Sequence, residues 1–288
     1  MRALLFSLVL LSACGRGIEP AEPAAPFTEV TLATKPGLSG LAVDETGALW
    51  TVAERDNMVY RITLDTQLRP ALEELPVEGV PSGVDLEGVA ILGNDQFALG
   101  TEGRTDGAAT ILRAERRGPA LVVTGELTIS EREAGLPLEA NRGAEGVCGR
   151  GNQIITVLEV AGTDQGRRWA PLLRIVDGKV ASTHRVWLTS TTGKLSGLDC
   201  VIDPDGTVHA WAIERHFEVS KVLGFTLAAG ATAPITPTVL ADLGAALGGR
   251  VNLEGIARLP DGRIVMVTDN QWKSIEGPSL MLVLSGRY

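Results

Sequence analysis

From Phe27 onward, apolar residues come in short runs broken by clusters of Gly, Asn, Asp and Pro, and no sustained 3.6-residue helical spacing runs through them. Runs of this length bounded by turn residues predict strands. Asp44-Glu45-Thr46-Gly47, Gly93-Asn94-Asp95, Gly149-Arg150-Gly151-Asn152, Asp203-Pro204-Asp205-Gly206 and Pro260-Asp261-Gly262 each suit a chain reversal. Each follows a short apolar strand and precedes a second one. Two further strands are expected after such a hairpin, for example Ala109–Ala114 with Leu121–Ile129, and Leu172–Val176 with Val180–Leu188.

The hairpins belong to a repeat. Leu38-Ser39-Gly40-Leu41-Ala42 leads to Glu54, Leu86-Glu87-Gly88-Val89-Ala90 to Glu102, and Ala144-Glu145-Gly146-Val147-Cys148 to Glu159. Leu195-Ser196-Gly197-Leu198-Asp199 leads to Glu214, and Leu253-Glu254-Gly255-Ile256-Ala257 to Asp269. From glycine to closing acid the offsets are 14, 14, 13, 17 and 14, and successive glycines lie 48, 58, 51 and 58 residues apart. That period fits a blade of four strands. The last unit lacks one strand, and Phe27–Ala33 can supply it, closing the ring and covering two exposed edges. The expectation is an all-β chain forming a single β-propeller of five four-stranded blades over residues 27–288. The alternative is six blades, with a degenerate unit in Pro70–Pro81 or Gly162–Arg168.

The first residues read differently. Arg2 precedes an apolar stretch from Ala3 to Leu11, too short to span a bilayer as a folded helix. It ends in Leu11-Ser12-Ala13-Cys14, which resembles a bacterial lipobox. The resemblance implies a signal peptide over residues 1–13, cleavage before Cys14 and lipidation of that cysteine. An ordinary secretory signal is the alternative, and both place the mature protein outside the cytoplasm, in the cell envelope. Gly15 rather than Asp follows the cysteine, which by resemblance to known sorting favours the outer membrane. Residues 14–26 form a Pro- and Ala-rich tether.

Composition narrows the chemistry. With 26 basic and 35 acidic residues the formal charge is −9, so no nucleic-acid-binding surface is expected. Three Cys and three His leave no zinc spacing. No Gly-x-Ser-x-Gly elbow is present, which disfavours a serine hydrolase of the α/β type. Cys148 and Cys200 stand two and three residues after their glycines, so their side chains are expected on opposite strand faces, as two buried thiols. His184 and His209 read as strand residues, and Trp50, Trp169 and Trp211 as packing.

In an antiparallel hairpin the start of one strand and the end of the next share an edge. Glu87 with Glu102, Glu145 with Glu159, and Glu254 with Asp269 therefore meet at one mouth of the ring, and Glu54 and Glu214 join them. Such carboxylates repel unless cations, protons or arginines compensate. Ca²⁺, which takes six to eight oxygens, suits such a site. Arg142, Arg215 and Arg250 stand beside the acids and could grip an anionic substrate group. His216, after Glu214 and Arg215, is a candidate general acid or base.

The strings Gly37–Ala42, Asp85–Ala90, Asn141–Gly146, Ala212–Phe217 and Asn252–Ala257 with Val267–Asn270 stand in an order that resembles the bacterial phytase-like (esterase-like activity of phytase) propeller domain. The resemblance implies an exported propeller with esterase or phosphoesterase activity, for which Glu87, Glu145 and Glu254 are the better metal candidates. Ser39 and Ser196 replace Glu in two units, and Asp199 replaces Ala or Cys. Three readings follow. One is a monomeric, lipid-anchored, calcium-dependent hydrolase of small anionic esters or phosphoesters, with Glu145, Glu254 and His216 as candidate catalytic groups. The others are a non-catalytic envelope scaffold and a lactonase-like sugar-ester hydrolase.

Overall fold

The computed structural model describes residues 26–93, 95–103, 107–249, 251–270 and 277–288. Cys14, the leader, the tether up to residue 25 and Arg250 lie outside the described residues. Strands follow the turn chemistry. β1 (Phe27–Leu32) precedes a meander of β2 (Leu38–Val43), β3 (Leu49–Ala53), β4 (Met58–Leu64) and β5 (Pro70–Glu78). A second contains β6 (Asp85–Gly93), β7 (Gln96–Glu102), β8 (Ala108–Arg117) and β9 (Ala120–Ser130), and ends in the short helix α1 (Glu131–Ala134). The third is β10 (Ala144–Arg150), β11 (Gln153–Leu158), the short β12 (Gly162–Asp164), β13 (Arg167–Val176) and β14 (Lys179–Trp187). The fourth is β15 (Lys194–Ile202), β16 (Val208–His216), β17 (Val219–Leu227) and β18 (Thr238–Asp242), followed by α2 (Gly244–Leu247). The last is β19 (Asn252–Arg258), β20 (Ile264–Asp269) and β21 (Ser279–Leu284).

β1 completes the last sheet, pairing antiparallel with β21 from Phe27 opposite Leu284 to Leu32 opposite Ser279. The outer strands of the first two sheets touch through a short parallel pairing of Val77 with Leu121 and Glu78 with Val122. The stretches weighed as a further unit are absorbed: Pro70–Glu78 is β5, and residues 162–168 contribute β12 and the start of β13.

The ring closes because the repeat glycines leave room for it. A Cβ on Gly40 would lie 2.7 Å from Gly88 Cα, one on Gly88 2.9 Å from the Glu145 carbonyl, and one on Gly146 2.6 Å from Leu198 Cβ. A Cβ on Gly197 would lie 2.6 Å from the Glu254 carbonyl, and one on Gly255 2.7 Å from the Gly40 carbonyl carbon. Each inner strand thus packs against the next in cyclic order, at distances only glycine permits. Apolar cores fill the wedges between successive sheets, and the core joining the last sheet to the first contains Leu38, Tyr60, Val267 and Met281. With a core on both sides, a blade strand is buried on both faces, which is why β3 and β20 show unbroken burial rather than alternation. The protein is a β-propeller.

One sequence expectation fails. Cys148 and Cys200 form a disulfide with Cα atoms 5.8 Å apart. The offset argument assumed that β10 and β15 meet glycine to glycine. Gly146 instead faces Leu198, one residue beyond Gly197, and this stagger brings the two cysteines together. The bridge spans 52 residues of sequence, and chain-entropy reasoning gives such a crosslink about 4 kcal/mol.

Candidate functional site

Each inner strand bulges at the repeat motif. The register skips between Leu86 and Gly88, Ala144 and Gly146, Leu195 and Gly197, and Leu253 and Gly255. The extra residues are Glu87, Glu145, Ser196 and Glu254, and a bulge re-aims its side chain. In β2 the skip falls one residue later, between Ser39 and Leu41, so Gly40 is the extra residue, with φ +44°. Glu87, Glu145 and Glu254 are all buried and line one cavity of about 510 Å³ at the mouth of the ring. Ser39 Oγ donates to the Glu87 carboxylate at 3.0 Å and to its carbonyl at 2.8 Å.

A second tier comes from the strand ends. Glu102 stands opposite Asp85, and Asp269 opposite Asn252. The backbone N–H groups of Glu54 and Glu159 donate to Gly37 and Gly143. The fourth sheet breaks the pattern. Leu195 pairs with Glu214 and Lys194 with Arg215, so the place of the closing acid is taken by Arg215. Glu214 points away from the cavity, fully buried, and accepts from the backbone N–H and hydroxyl groups of Thr189 and Ser190 at 2.6–2.9 Å. Its expected place among the metal ligands is therefore overturned: the register sets it opposite Leu195, one position away from the mouth pair of Lys194 and Arg215, where it caps a loop.

The fourth sheet supplies cations to an otherwise acidic ring. Arg215 grips Glu254 with two nitrogens, Nε at 3.0 Å from Oε2 and a terminal nitrogen on Oε1. Asn252 donates to the same Glu254 oxygen at 2.6 Å. Glu159 is ion-paired with Lys194, with Arg142 at 3.5 Å and with Arg215 at 3.8 Å. Among the described residues Glu145 makes no hydrogen bond or ion pair, and it faces the cavity. Its carboxylate lies within 4.8 Å of oxygens of Glu102 and Glu159.

Burial, followed by like charge, governs the protonation of this cavity. Burial and the carboxylates of Glu145, Glu54 and Glu102 push Glu87 well above the usual range. Glu145 is raised well above it by burial, with Glu254 and Glu102 adding and Arg215 and Lys194 opposing. Burial raises Glu254 as well, against the pull of Arg215. Glu54 is pushed up to about 9 by burial, Asp269 and Glu254. Burial and the Arg215 charge bring Lys194 down to about 8. His216 lines the rim, and its imidazole is lowered by burial, then by Lys194, Arg168 and Arg215.

The structure brings together Glu87, Glu102, Glu145, Glu159, Glu254, Asp269, Arg142, Arg215 and His216 around the cavity. The sequence reading missed Lys194. It stands three residues before its glycine, the offset of Asp85 and Asn252, so the repeat alignment carried a signal for it.

A family model described as phytase-like, esterase-like activity of phytase, matches residues 36–271. No curated protein matches the sequence. A PQQ-bound aldose sugar dehydrogenase from Streptomyces coelicolor is similar at TM-score 0.49 and 13% identity, over 91% of this chain and 99% of that one. A calcium-binding regucalcin from Agrobacterium tumefaciens C58 is similar at TM-score 0.45 and 14% identity, over 92% and 97% of the two chains. A GH43 β-1,3-galactosidase with galactodeoxynojirimycin is similar at 0.49 and 10%, over 88% and 94%.

Proposed function

The chain belongs to the phytase-like family, esterase-like activity of phytase, and from that premise we propose that it is an exported, lipid-anchored hydrolase of small anionic esters or phosphoesters, with a Ca²⁺-dependent site at the acidic mouth. One observation carries the reading: Glu145, a buried carboxylate without a donor or counter-ion among the described residues, lies within 4.8 Å of oxygens of Glu102 and Glu159. A carboxyl that faces the cavity without a donor is open to a ligand, and a hard divalent cation is a partner that its chemistry fits. Glu102, Glu145 and Glu159 would hold the ion, which when bound polarises an ester or phosphoryl oxygen.

The chain's own residues do the remaining work. Arg215 is fixed by Glu254, which Asn252 holds in turn, so its guanidinium is already oriented for an incoming anion. Arg142, about 42% exposed, can leave Glu159 to meet that anion. Lys194 neutralises Glu159 while the cation is absent, so the ammonium and the metal compete for one carboxylate. Glu254 is saturated by Arg215 and Asn252, so it is not free to act as a base.

Export rests on the leader over residues 1–13, which precedes Cys14, and is supported by the Cys148–Cys200 bridge, since disulfides persist in oxidising compartments. A scaffold reading draws on the Arg215–Glu254 and Lys194–Glu159 pairs, which tie the third, fourth and fifth sheets together. Calcium titration by calorimetry separates the two. Ca²⁺ binding that weakens at least about tenfold in Glu145→Gln, with turnover of 4-nitrophenyl phosphate or acetate lost alongside, is expected of the hydrolase. Unchanged affinity and turnover in that variant would sink the assignment.

A further inference from the structure

The wall of the cavity formed by the turn after Arg215 differs from the rest. His216 pairs with Val219, so Phe217 and Glu218 form a two-residue hairpin turn between β16 and β17. Phe217 occupies its first position with φ +44°. Glycine is the ordinary residue there, because a side chain meets its own backbone in the left-handed region. Most other non-glycine residues with positive φ are Asn, Asp or Gln, which tolerate it. Leu68 is the other apolar one, and it packs against the core between the last and first sheets. Phe217 has no such compensation: it is 72% exposed, the most exposed large apolar side chain among the described residues. Among the described residues its one ring contact is His216, edge to face with centroids 4.5 Å apart. Phe217 lines the mouth cavity with Val219 and Val251, beside Arg215 and Asn252.

A strained, exposed aromatic that the fold does not use is accounted for by a ligand. We propose that Phe217 is a specificity-determining residue: its ring stacks against the face of a ring in the substrate's leaving group while the attached anion sits at Arg215 and Lys194. This deepens the hydrolase reading and rests on it for the anion's place. The substrate class is then an anionic ester carried on an aryl or sugar ring, not on an open chain. Both ring types offer a face of C–H or π groups to an aromatic platform.

The test compares, in chelator so that no substrate turns over, calorimetric binding of 4-nitrophenyl phosphate, glucose 1-phosphate and glycerol 3-phosphate, which share the phosphate and differ in the carrier. The protein is expected to bind at least one ring compound about three- to tenfold more tightly than glycerol 3-phosphate. Preference for the first alone identifies an aryl ring, and preference for the second a sugar. Phe217→Gly and Phe217→Ala should abolish the preference, and Phe217→Trp should keep it. Phe217→Gly should also hold or raise the melting temperature, because the turn favours glycine. Equal binding of the three, binding of none, a preference that survives Phe217→Gly, or a marked fall in that variant's melting temperature would each overturn the proposal. The hydrolase reading fails separately, on calcium binding and turnover: a ring preference lost with Phe217 in a protein that binds no Ca²⁺ would leave the platform standing and remove the metal site.

Discussion

Removing one carboxylate from the mouth should change how stability depends on pH, and Glu54 is the residue to choose. Burial, then the charges of Asp269 and Glu254, push its carboxyl up to about 9, against an ordinary value of 4.5. Between those values the folded protein keeps a proton that the unfolded chain releases. The stability this group contributes is therefore full below the unfolded value and is lost as pH rises toward the folded one. The slope is about 1.4 kcal/mol per pH unit. Glu87, Glu145 and Glu254 are raised in the same way and add slopes of the same sign, so the Glu54 contribution is read as the difference between wild type and Glu54→Gln from about pH 6.5 to about pH 8. Asp199, raised to about 6 by burial, has finished titrating below the window. His184 and His216, both lowered by burial, add a term of opposite sign that ends near their ordinary value of 6.5. Lys194, lowered to about 8, brings in an opposite contribution at the alkaline end of the window, which wild type and variant share. Over that window Glu54 removes about 2 kcal/mol from the wild-type protein, and Glu54→Gln should not lose it. Urea denaturation of both proteins across the window, in chelator, gives the two curves. They should diverge with pH, the variant being the more stable at the alkaline end. Parallel curves would refute the claim that Glu54 is held protonated by its surroundings.

Two further predictions test the architecture. Arg215→Met leaves Glu254 buried without its cation and should cost about 3–5 kcal/mol in urea denaturation at neutral pH. Adding Glu254→Gln should restore most of that, and a single variant within about 1 kcal/mol of wild type would contradict the pairing. Gly146→Ala places a Cβ 2.6 Å from Leu198 Cβ and 2.7 Å from its backbone nitrogen, so it should cost about 1–3 kcal/mol or more. Gly125→Ala, where nothing lies within 4 Å, should be neutral or stabilising by about 0.5 kcal/mol, and equal effects at the two sites would remove the packing explanation.

The axial glycines were legible in the sequence because packing imposes the same demand at each: Gly40, Gly88, Gly146, Gly197 and Gly255 stand where the next backbone passes. The pairing of Phe27–Leu32 with Ser279–Leu284 was legible because one unit was a strand short. The acids of three sheets could be placed because their offsets of 13 and 14 are measured along hairpins with the same bulge. In the fourth hairpin the offset of 17 reflects a longer turn, and only the register shows that Arg215, not Glu214, faces the mouth. The disulfide was hidden for a related reason. Sequence spacing fixes which face a residue takes within its own strand but says nothing of the stagger between neighbouring blades. Phe217 was inside a quoted motif, yet its strain is a property of one dihedral angle and has no signature in composition.

The mouth makes sense as a balance between what the ring forces together and what one sheet supplies. Close glycine contacts bring the inner strands to the axis, and the bulges beside them turn Glu87, Glu145 and Glu254 inward. A ring of identical blades would repeat this charge at every position and oppose its own closure. The fourth sheet relieves it in two steps, with Ser196 in place of an inner acid and with Lys194 and Arg215 in place of the outer pair. Those cations reach Glu159 and Glu254 but are not ion-paired with Glu145. Glu54, Glu87 and Glu145 then carry their excess charge as bound protons, as their raised values indicate. A cation entering beside Glu145 must displace protons from this group, and uptake of one is tied to release of the other. Asymmetry, not the repeat, therefore creates the site: four sheets build the acidic cup, and the one that departs from them decides which carboxylate remains open to a ligand.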